Sequence, residues 1–288
     1  MASSLTSPGL IKAANDALVA ATPDLNVARL FAYDMSDDFA TPGTTVKVPV
    51  AAAGVVADFN ASTNDFENTD GSVTYATVTL SNKPKSTFEF AALDALEAPN
   101  APYWARVREA AANGVKASIS TVLGGLFTST ACTGGKVVLA SVTKAGIAGL
   151  RADCAGRAAD TVLALEPGYY NTLLSLLDVN VLGTADAIKT GYIGGLYGFK
   201  AVVQMLDLPA GVKGALIPAN SVAVASRAFP VVDEGAYSEC GTVRDDYGFT
   251  FTVLRHGSAA KGSGFINVAA LWGAALVQPG KIKYIAAS

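Results

Sequence analysis

The sequence predicts an α+β fold in which a two-stranded arm leads into a long helix and then into a mixed sheet. Two alternating runs of apolar and polar residues, at 46–50 and 73–80, have the period of half-buried strands. A helical spacing of apolar residues follows over 101–127, and strand and helix patterns alternate over 136–177. This alternation favours a mixed sheet with covering helices.

Residues 1–43 come before the first arm strand and are predicted to form an N-terminal arm that packs on another surface. A helical pattern over 8–21 ends at Pro23, and acids are mixed with apolar residues up to Gly43. The first residues show no basic region followed by an apolar core, and the longest apolar run, 266–277, is too short to span a bilayer. We therefore expect no secretory signal, no membrane partner and folding in a reducing cytosol.

A polar insert separates the two arm strands at residues 58–71 and contains no Lys or Arg. Loops of this length in a compact domain are usually functional or mobile. One interpretation is a disordered hairpin tip. The other is a tip that docks on a neighbouring subunit, with phenylalanines as apolar anchors and acids around them. The residues predicted for this inter-subunit contact are Phe59, Asp65, Phe66, Glu67 and Asp70.

The helix over 101–127 begins after Asn100, a suitable N-cap, and has Pro102 in its first turn. At 1.5 Å per residue it would span roughly 40 Å, enough to support a whole subunit. The glycine pair Gly124 and Gly125 weakens the helix and indicates close packing or a bend.

The middle of the chain reads as alternating strands and helices. A short strand at 136–140 precedes a helix capped by Thr143 and stopped at Gly156, and a buried strand at 161–165 leads into a helix opened by Glu166. The glycines at 191–198 do not form a phosphate cradle, because the segment leads into a strand at 199–206 rather than into a helix.

The last part of the chain is predicted to be mainly strands. The elements expected there are a strand at 215–217, a short helix from Asn220 or Ser221 to Phe229, a polar loop over 233–246 and strands at 249–254, 264–271 and 282–285.

The composition indicates a protein whose surface is partly covered by other molecules. Charged residues make up 16% of the 288 residues, below the roughly 25% of ordinary soluble domains, whereas 51% are apolar. Such a surface is most simply covered by other copies of the chain.

The charge balance is unevenly distributed. The formal net charge is −3, so any contact with nucleic acid is expected to be weak and non-specific. Residues 24–70 carry eight acids against two bases, which is either a solvated face or a surface complementary to a basic partner.

The residues offer no catalytic, cofactor or metal site. The three cysteines are widely spaced, His256 is the only histidine and lies in a predicted loop, and no nucleophile motif is present. The sequence therefore predicts a protein that is not an enzyme and holds no cofactor, although a cytosolic enzyme or ligand-binding module of mixed class stays open as an alternative.

The order of the predicted elements resembles that of the tailed-bacteriophage major capsid proteins of the Hong Kong 97 fold: an N-terminal arm, a long two-stranded loop, a long helix and a mixed domain with a helix after Thr143. Three local strings agree with this resemblance. Residues 163–174, Leu-Ala-Leu-Glu-Pro-Gly-Tyr-Tyr-Asn-Thr-Leu-Leu, are similar to the strand and helix of that family's axial domain. Residues 191–209 resemble its glycine-rich turn and strand, and residues 215–229 resemble the segment that follows.

The resemblance implies a division of the chain and a function. It implies an N-terminal arm (1–43), an extended loop (44–82), a peripheral domain (83–135 and 230–288) with a spine helix (101–127), and an axial domain (136–229). It implies self-assembly of pentamers and hexamers into an icosahedral shell around double-stranded DNA. The location would be the virion capsid, after synthesis in the host cytoplasm.

The sequence departs from the family in two ways that concern partners. Some members crosslink a lysine of the extended loop, but this chain has no Lys between Lys47 and Lys83, which leaves non-covalent contacts or a partner protein to stabilise the shell. It also has no long charged N-terminal helical extension, which predicts a separate scaffolding protein. A portal and a decoration protein are further expected partners, and an encapsulin-like shell around an enzyme cargo is the alternative function.

Overall fold

The computed structural model describes residues 30–35, 45–51, 73–91, 101–154, 156–177, 192–230, 239–244, 249–258 and 263–288. Within these residues the chain mixes helices and sheets, as predicted, and more residues lie in strands than in helices. The helices are α1 (Ala101–Gly125), α2 (Lys144–Gly149) and α3 (Pro167–Leu176). The strands are β1 (Ala32–Asp34), β2 (Thr45–Ala51), β3 (Val73–Thr79), β4 (Lys85–Ala91), β5 (Lys136–Val138), β6 (Thr161–Leu165), β7 (Tyr192–Gly194), β8 (Ala201–Gln204), β9 (Gly214–Pro218), β10 (Val222–Arg227), β11 (Glu239–Arg244), β12 (Thr250–Ser258), β13 (Ser263–Leu276) and β14 (Lys283–Ala286).

The first sheet is organised around β13, its longest strand. The strand order is β1-β10-β13-β12-β11, and β4 also pairs with β13. Residues 263–270 of β13 pair with β12, residues 263–269 with β4, and residues 271–276 with β10. All these pairs are antiparallel, so one strand holds both halves of the sheet in register.

The second sheet has the order β5-β14-β9-β6-β8-β7. Its central strand β6 is buried along its whole length, as the predicted apolar run over 161–165 requires. Val162 and Ala164 belong to the main core, whereas Leu163 and Leu165 belong to a second core on the other face. The alternation of β6 side chains therefore fills two cores at once.

The main core joins α1 to both sheets. The second half of α1 contributes Val115, Ile119 and Leu123, which pack with residues of β6, β8, β10 and β12. Phe127 follows the helix and meets Phe31, just before β1, edge-to-face at 5.9 Å. Phe31 is thus held in the main core.

The second core lies beneath the two short helices. Ile147 of α2 and Tyr170 and Leu173 of α3 are buried against the second sheet. The predicted cap of α2 is confirmed, because Gly146 N–H donates to the Thr143 hydroxyl at 3.0 Å. The helix ends at Gly149, however, so the expected stop at Gly156 is wrong and a short 3-10 turn follows instead.

Two predictions for the last part of the chain are wrong. The short helix expected from Asn220 or Ser221 to Phe229 is strand β10, and strand β11 lies inside the expected polar loop. The helix expected over 101–127 and the strands expected at 46–50, 73–80 and 161–165 are confirmed within about two residues.

Candidate assembly surfaces

The two arm strands form a small sheet of their own, with one face packed on the body. β2 and β3 pair antiparallel from Thr45 with Thr79 to Ala51 with Val73. Val46, Val48 and Val78 alternate with polar residues and are buried against β10 and β13, together with Leu80. The period-two pattern in the sequence therefore selects the face that the body covers.

Burial decreases along the arm away from its base. On the covered face, Val78 is fully buried, Ala76 is half-buried and Thr74 is exposed. On the opposite face, Tyr75 is 65% exposed and Val73 is 54% exposed. Tyr75 stands opposite Pro49 in the register, so apolar side chains gather at the outer end of the described arm. An apolar arm end that its own body does not cover is suited to contact another molecule.

The base of the arm crosses the first sheet at a glycine. A β-carbon added to Gly273 would lie 2.7 Å from the Thr79 carbonyl carbon and 3.2 Å from the Leu80 nitrogen. Only glycine permits such a close approach of two backbones. Three residues further on, Asn82 and Trp272 exchange backbone hydrogen bonds at 3.1 Å in each direction. The direction in which the arm leaves the body is thereby fixed.

The residues predicted for the tip contact, Phe59, Asp65, Phe66, Glu67 and Asp70, lie outside the described residues. Their role as an inter-subunit contact stays a prediction. Sequence reasoning did not single out Tyr75 or Val73 as contact residues. The signal was present, since both occupy the face of β3 opposite Val78, where a polar residue is expected.

Two ion pairs among the described residues link neighbouring elements of the fold. Lys213 pairs with Glu166 at 2.9 Å and lies 5.8 Å from the Tyr169 ring, and Lys283 pairs with Asp153 at 3.2 Å. The first pair joins the start of α3 to the turn before β9. The second joins β14 to the 3-10 turn after α2. Among the described residues, no group of three metal-ligating side chains comes together.

Burial raises the pKa of two cysteine thiols and of one tyrosine hydroxyl. Burial raises the pKa of Cys132 to about 11 and that of Tyr170 to about 12. Burial also raises the pKa of Cys154, whose thiol donates to the Leu150 carbonyl at 3.4 Å. These groups stay protonated at neutral pH, where a thiolate nucleophile would need a lowered pKa.

The position expected for His256 is wrong, since it lies in β12 and not in a loop. Its ring stacks on Phe265 at 5.0 Å, and the Asn267 side-chain amide lies 3.2 Å from its Nδ1. The Thr87 hydroxyl donates to the other end of that amide at 2.6 Å. The histidine is therefore part of a hydrogen-bonded row across three strands.

No helix in the described part of the chain is both long enough and apolar enough to cross a membrane.

Comparison by structure shows which proteins share this architecture. A structure from Mycobacterium phage Che8 aligns with a TM-score of 0.55 at 15% identity, covering 90% of this chain and 89% of that chain. The capsid of the cyanophage P-SCSP1u aligns at 0.53 and 12% identity, covering 89% and 86%. The virus-like particle from Pyrococcus furiosus aligns at 0.55 and 12% identity, covering 95% and 97%.

The chain has the phage capsid fold. No family model matches it, and no curated protein matches it by sequence. The resemblance read from the order of the predicted elements and from three local strings is thus confirmed at the level of the fold, where sequence identity is only 12–15%. The three alignments cover 89–95% of this chain.

Proposed function

We propose that this chain is the major capsid protein of a tailed bacteriophage, which self-assembles into the icosahedral shell around a double-stranded DNA genome. The observation that carries the proposal is the shared fold over about nine-tenths of this chain and of the compared chains, one of them a cyanophage capsid and another a virus-like particle. Such a protein is a structural subunit and not an enzyme, works in the virion capsid and is made in the host cytoplasm.

The two-stranded arm formed by β2 and β3 gives a physical reason for assembly. Tyr75 and Val73 are exposed in the single subunit, and contact with a neighbour would remove both from water. Fully burying one such apolar side chain is worth about 1.5–3 kcal/mol. Because a closed shell repeats each contact at every copy, modest contacts add up to a stable assembly. Residues 58–71, with Phe59 and Phe66, continue this surface in our proposal.

The parts of the subunit are assigned by the same proposal. Residues 1–43 are the N-terminal arm, 44–82 the extended loop, 83–135 and 230–288 the peripheral domain with α1 as its spine helix, and 136–229 the axial domain. Two strands pair outside the part to which these ranges assign them. β10 lies in the first sheet beside β13, and β14 lies in the second sheet between β5 and β9.

The partners proposed are other copies of the chain in pentamers and hexamers, a separate scaffolding protein, a portal and a decoration protein. Contact with the packaged DNA is weak and non-specific, in keeping with a net charge of −3. An encapsulin-like shell with an enzyme cargo would use the same fold, but no feature of the described residues favours a cargo over a genome.

Electron microscopy of purified material tests the proposal. The chain expressed with the neighbouring structural genes of its source should form uniform closed icosahedral shells, and the chain expressed alone should form irregular ones. A stable monomer under both conditions would reject a shell function. Uniform shells from the chain alone would reject only the scaffolding protein, and an enzyme inside native particles would favour the cargo-carrying alternative.

A further inference from the structure

The second sheet has an open edge at β5. The Tyr284 amide donates to the Gly135 carbonyl at 3.2 Å, and the Leu139 amide donates to the Ala286 carbonyl at 2.9 Å. These two residues of the β5 segment therefore face β14. Because hydrogen-bonding groups alternate between the two sides of a strand, those of Lys136 and Val138 point away from the sheet. In the described part of the chain no backbone group pairs with them.

A cleft of about 270 Å³ lies beside this open edge. Its lining includes Lys136 of β5 and, on β14, Tyr284 and Ala286, the register partners of Lys136 and Val138. Val138 is on the same face as Lys136, two residues along, and is 58% exposed. The remaining lining comes from Thr128, Ser129 and residues 209–212.

The cleft carries one charge. Lys136 is the only charged residue among those that line it, and the described lining contains no carboxylate. The occupant that fits is therefore an extended segment with an acidic character and an apolar side chain. Residues 52–70 of this chain, between β2 and β3, have that composition, with four acids, no base and two phenylalanines. Opposite charges on the two surfaces favour their encounter and their register.

We propose that the acidic segment 52–70 of a second copy of this chain adds as a strand to the open edge of β5 and places a side chain in the adjoining cleft. Main-chain hydrogen bonds to Lys136 and Val138 supply affinity, and the cleft supplies specificity. The contact joins two different surfaces of the same protein, so it propagates around a ring of subunits. The inference rests on the proposed self-assembly.

A photo-crosslinking amino acid at position 138, in place of the exposed Val138, tests the inference in assembled shells. Irradiation should give a covalent dimer on a denaturing gel, with the crosslinked peptide from residues 52–70 of the other copy. A crosslink to any other region or protein, or no dimer from intact shells, would overturn the inference and leave the shell function standing. If the unsubstituted chain forms no shells either alone or with the neighbouring structural genes of its source, the proposed function itself fails, and the inference fails with it.

The substitution Lys136→Glu tests the charge. It should lower the yield of shells about tenfold or more, because the weakened contact recurs at every copy of the ring. The unassembled subunit should unfold at an unchanged temperature, since Lys136 is exposed. Lys144→Glu is the matched control, because Lys144 is an exposed lysine at the start of α2, outside the cleft lining. Equal yields from the two variants would contradict the role of Lys136.

Discussion

Gly273 of β13 lies directly beneath Thr79 of the arm, and a β-carbon on Gly273 would come within 2.7 Å of the Thr79 carbonyl carbon. The two residues are far apart in the sequence, yet their backbones touch at the point where the arm leaves the first sheet. The placement of the arm therefore depends on glycine at position 273, because a residue with a side chain would collide with Thr79.

Replacing Gly273 with alanine should force the arm base away from β13. We expect the free energy of unfolding to fall by about 1–3 kcal/mol, which is the usual cost of overpacking. Chemical denaturation measures the change. Gly257→Ala is the control, since a β-carbon there has no neighbour within 4 Å. Equal effects of the two substitutions would show that the crossing at Gly273 is not restrictive.

Alanine substitutions at the two adjacent glycines at the end of α1 should change the stability of the subunit in opposite directions. A β-carbon on Gly124 would lie 2.6 Å from the Asp207 carbonyl oxygen, whereas one on Gly125 would meet nothing within 4 Å. Gly124→Ala should therefore destabilise the subunit by about 1–3 kcal/mol. Gly125→Ala should stabilise it by up to about 1 kcal/mol, because alanine is the better helix former. If thermal unfolding showed that both substitutions shift the unfolding temperature in the same direction, this contact would be disproved.

The cap of α2 should contribute to stability through one hydrogen bond. Thr143→Ala removes the acceptor for Gly146 N–H and should cost about 1 kcal/mol in the free energy of unfolding. Thr143→Ser keeps a hydroxyl and should cost much less. A serine variant as unstable as the alanine variant would mean that the methyl group of the threonine matters and the cap does not.

The buried thiol of Cys132 predicts a loss of stability in alkali. Its pKa is raised from 9.0 to about 11 by burial, so the folded state holds the proton more tightly than the unfolded state. Its contribution is complete below pH 9 and is lost as the pH rises toward 11, at no more than about 1.4 kcal/mol per pH unit. Unfolding free energies measured from pH 8 to 10.5 should fall less steeply for Cys132→Ala. An identical slope in the variant would contradict the burial of this thiol.

Elements with a clear local pattern could be predicted from the sequence. The run at 161–165 is short, apolar and followed by Pro167, so β6 and the start of α3 were both readable. The arm strands could be predicted because only one of their faces is buried. The glycine pair indicated close packing or a bend, and Gly124 does lie close to Asp207, whereas a β-carbon on Gly125 would meet nothing within 4 Å.

The missed elements depend on contacts that are distant in sequence. In β10 both faces are buried, with Val222 and Val224 in the main core and Ala223 and Ala225 under the arm, so polar alternation is absent. Asn220, which suggested a helix cap, instead occupies a turn with φ of 59°. β11 is polar in sequence and is a strand because it pairs with β12. The cleft beside β5 and the crossing at Gly273 likewise arise only in the folded chain.

In the proposed shell, the two-stranded arm joins the subunits while the body of each subunit folds by itself. Electron microscopy and thermal unfolding of a variant that lacks residues 60–70 test this division of roles. We expect a folded monomer that unfolds at the same temperature as the unassembled full chain and forms no shells. Shells of normal size and number from the deletion variant would contradict it.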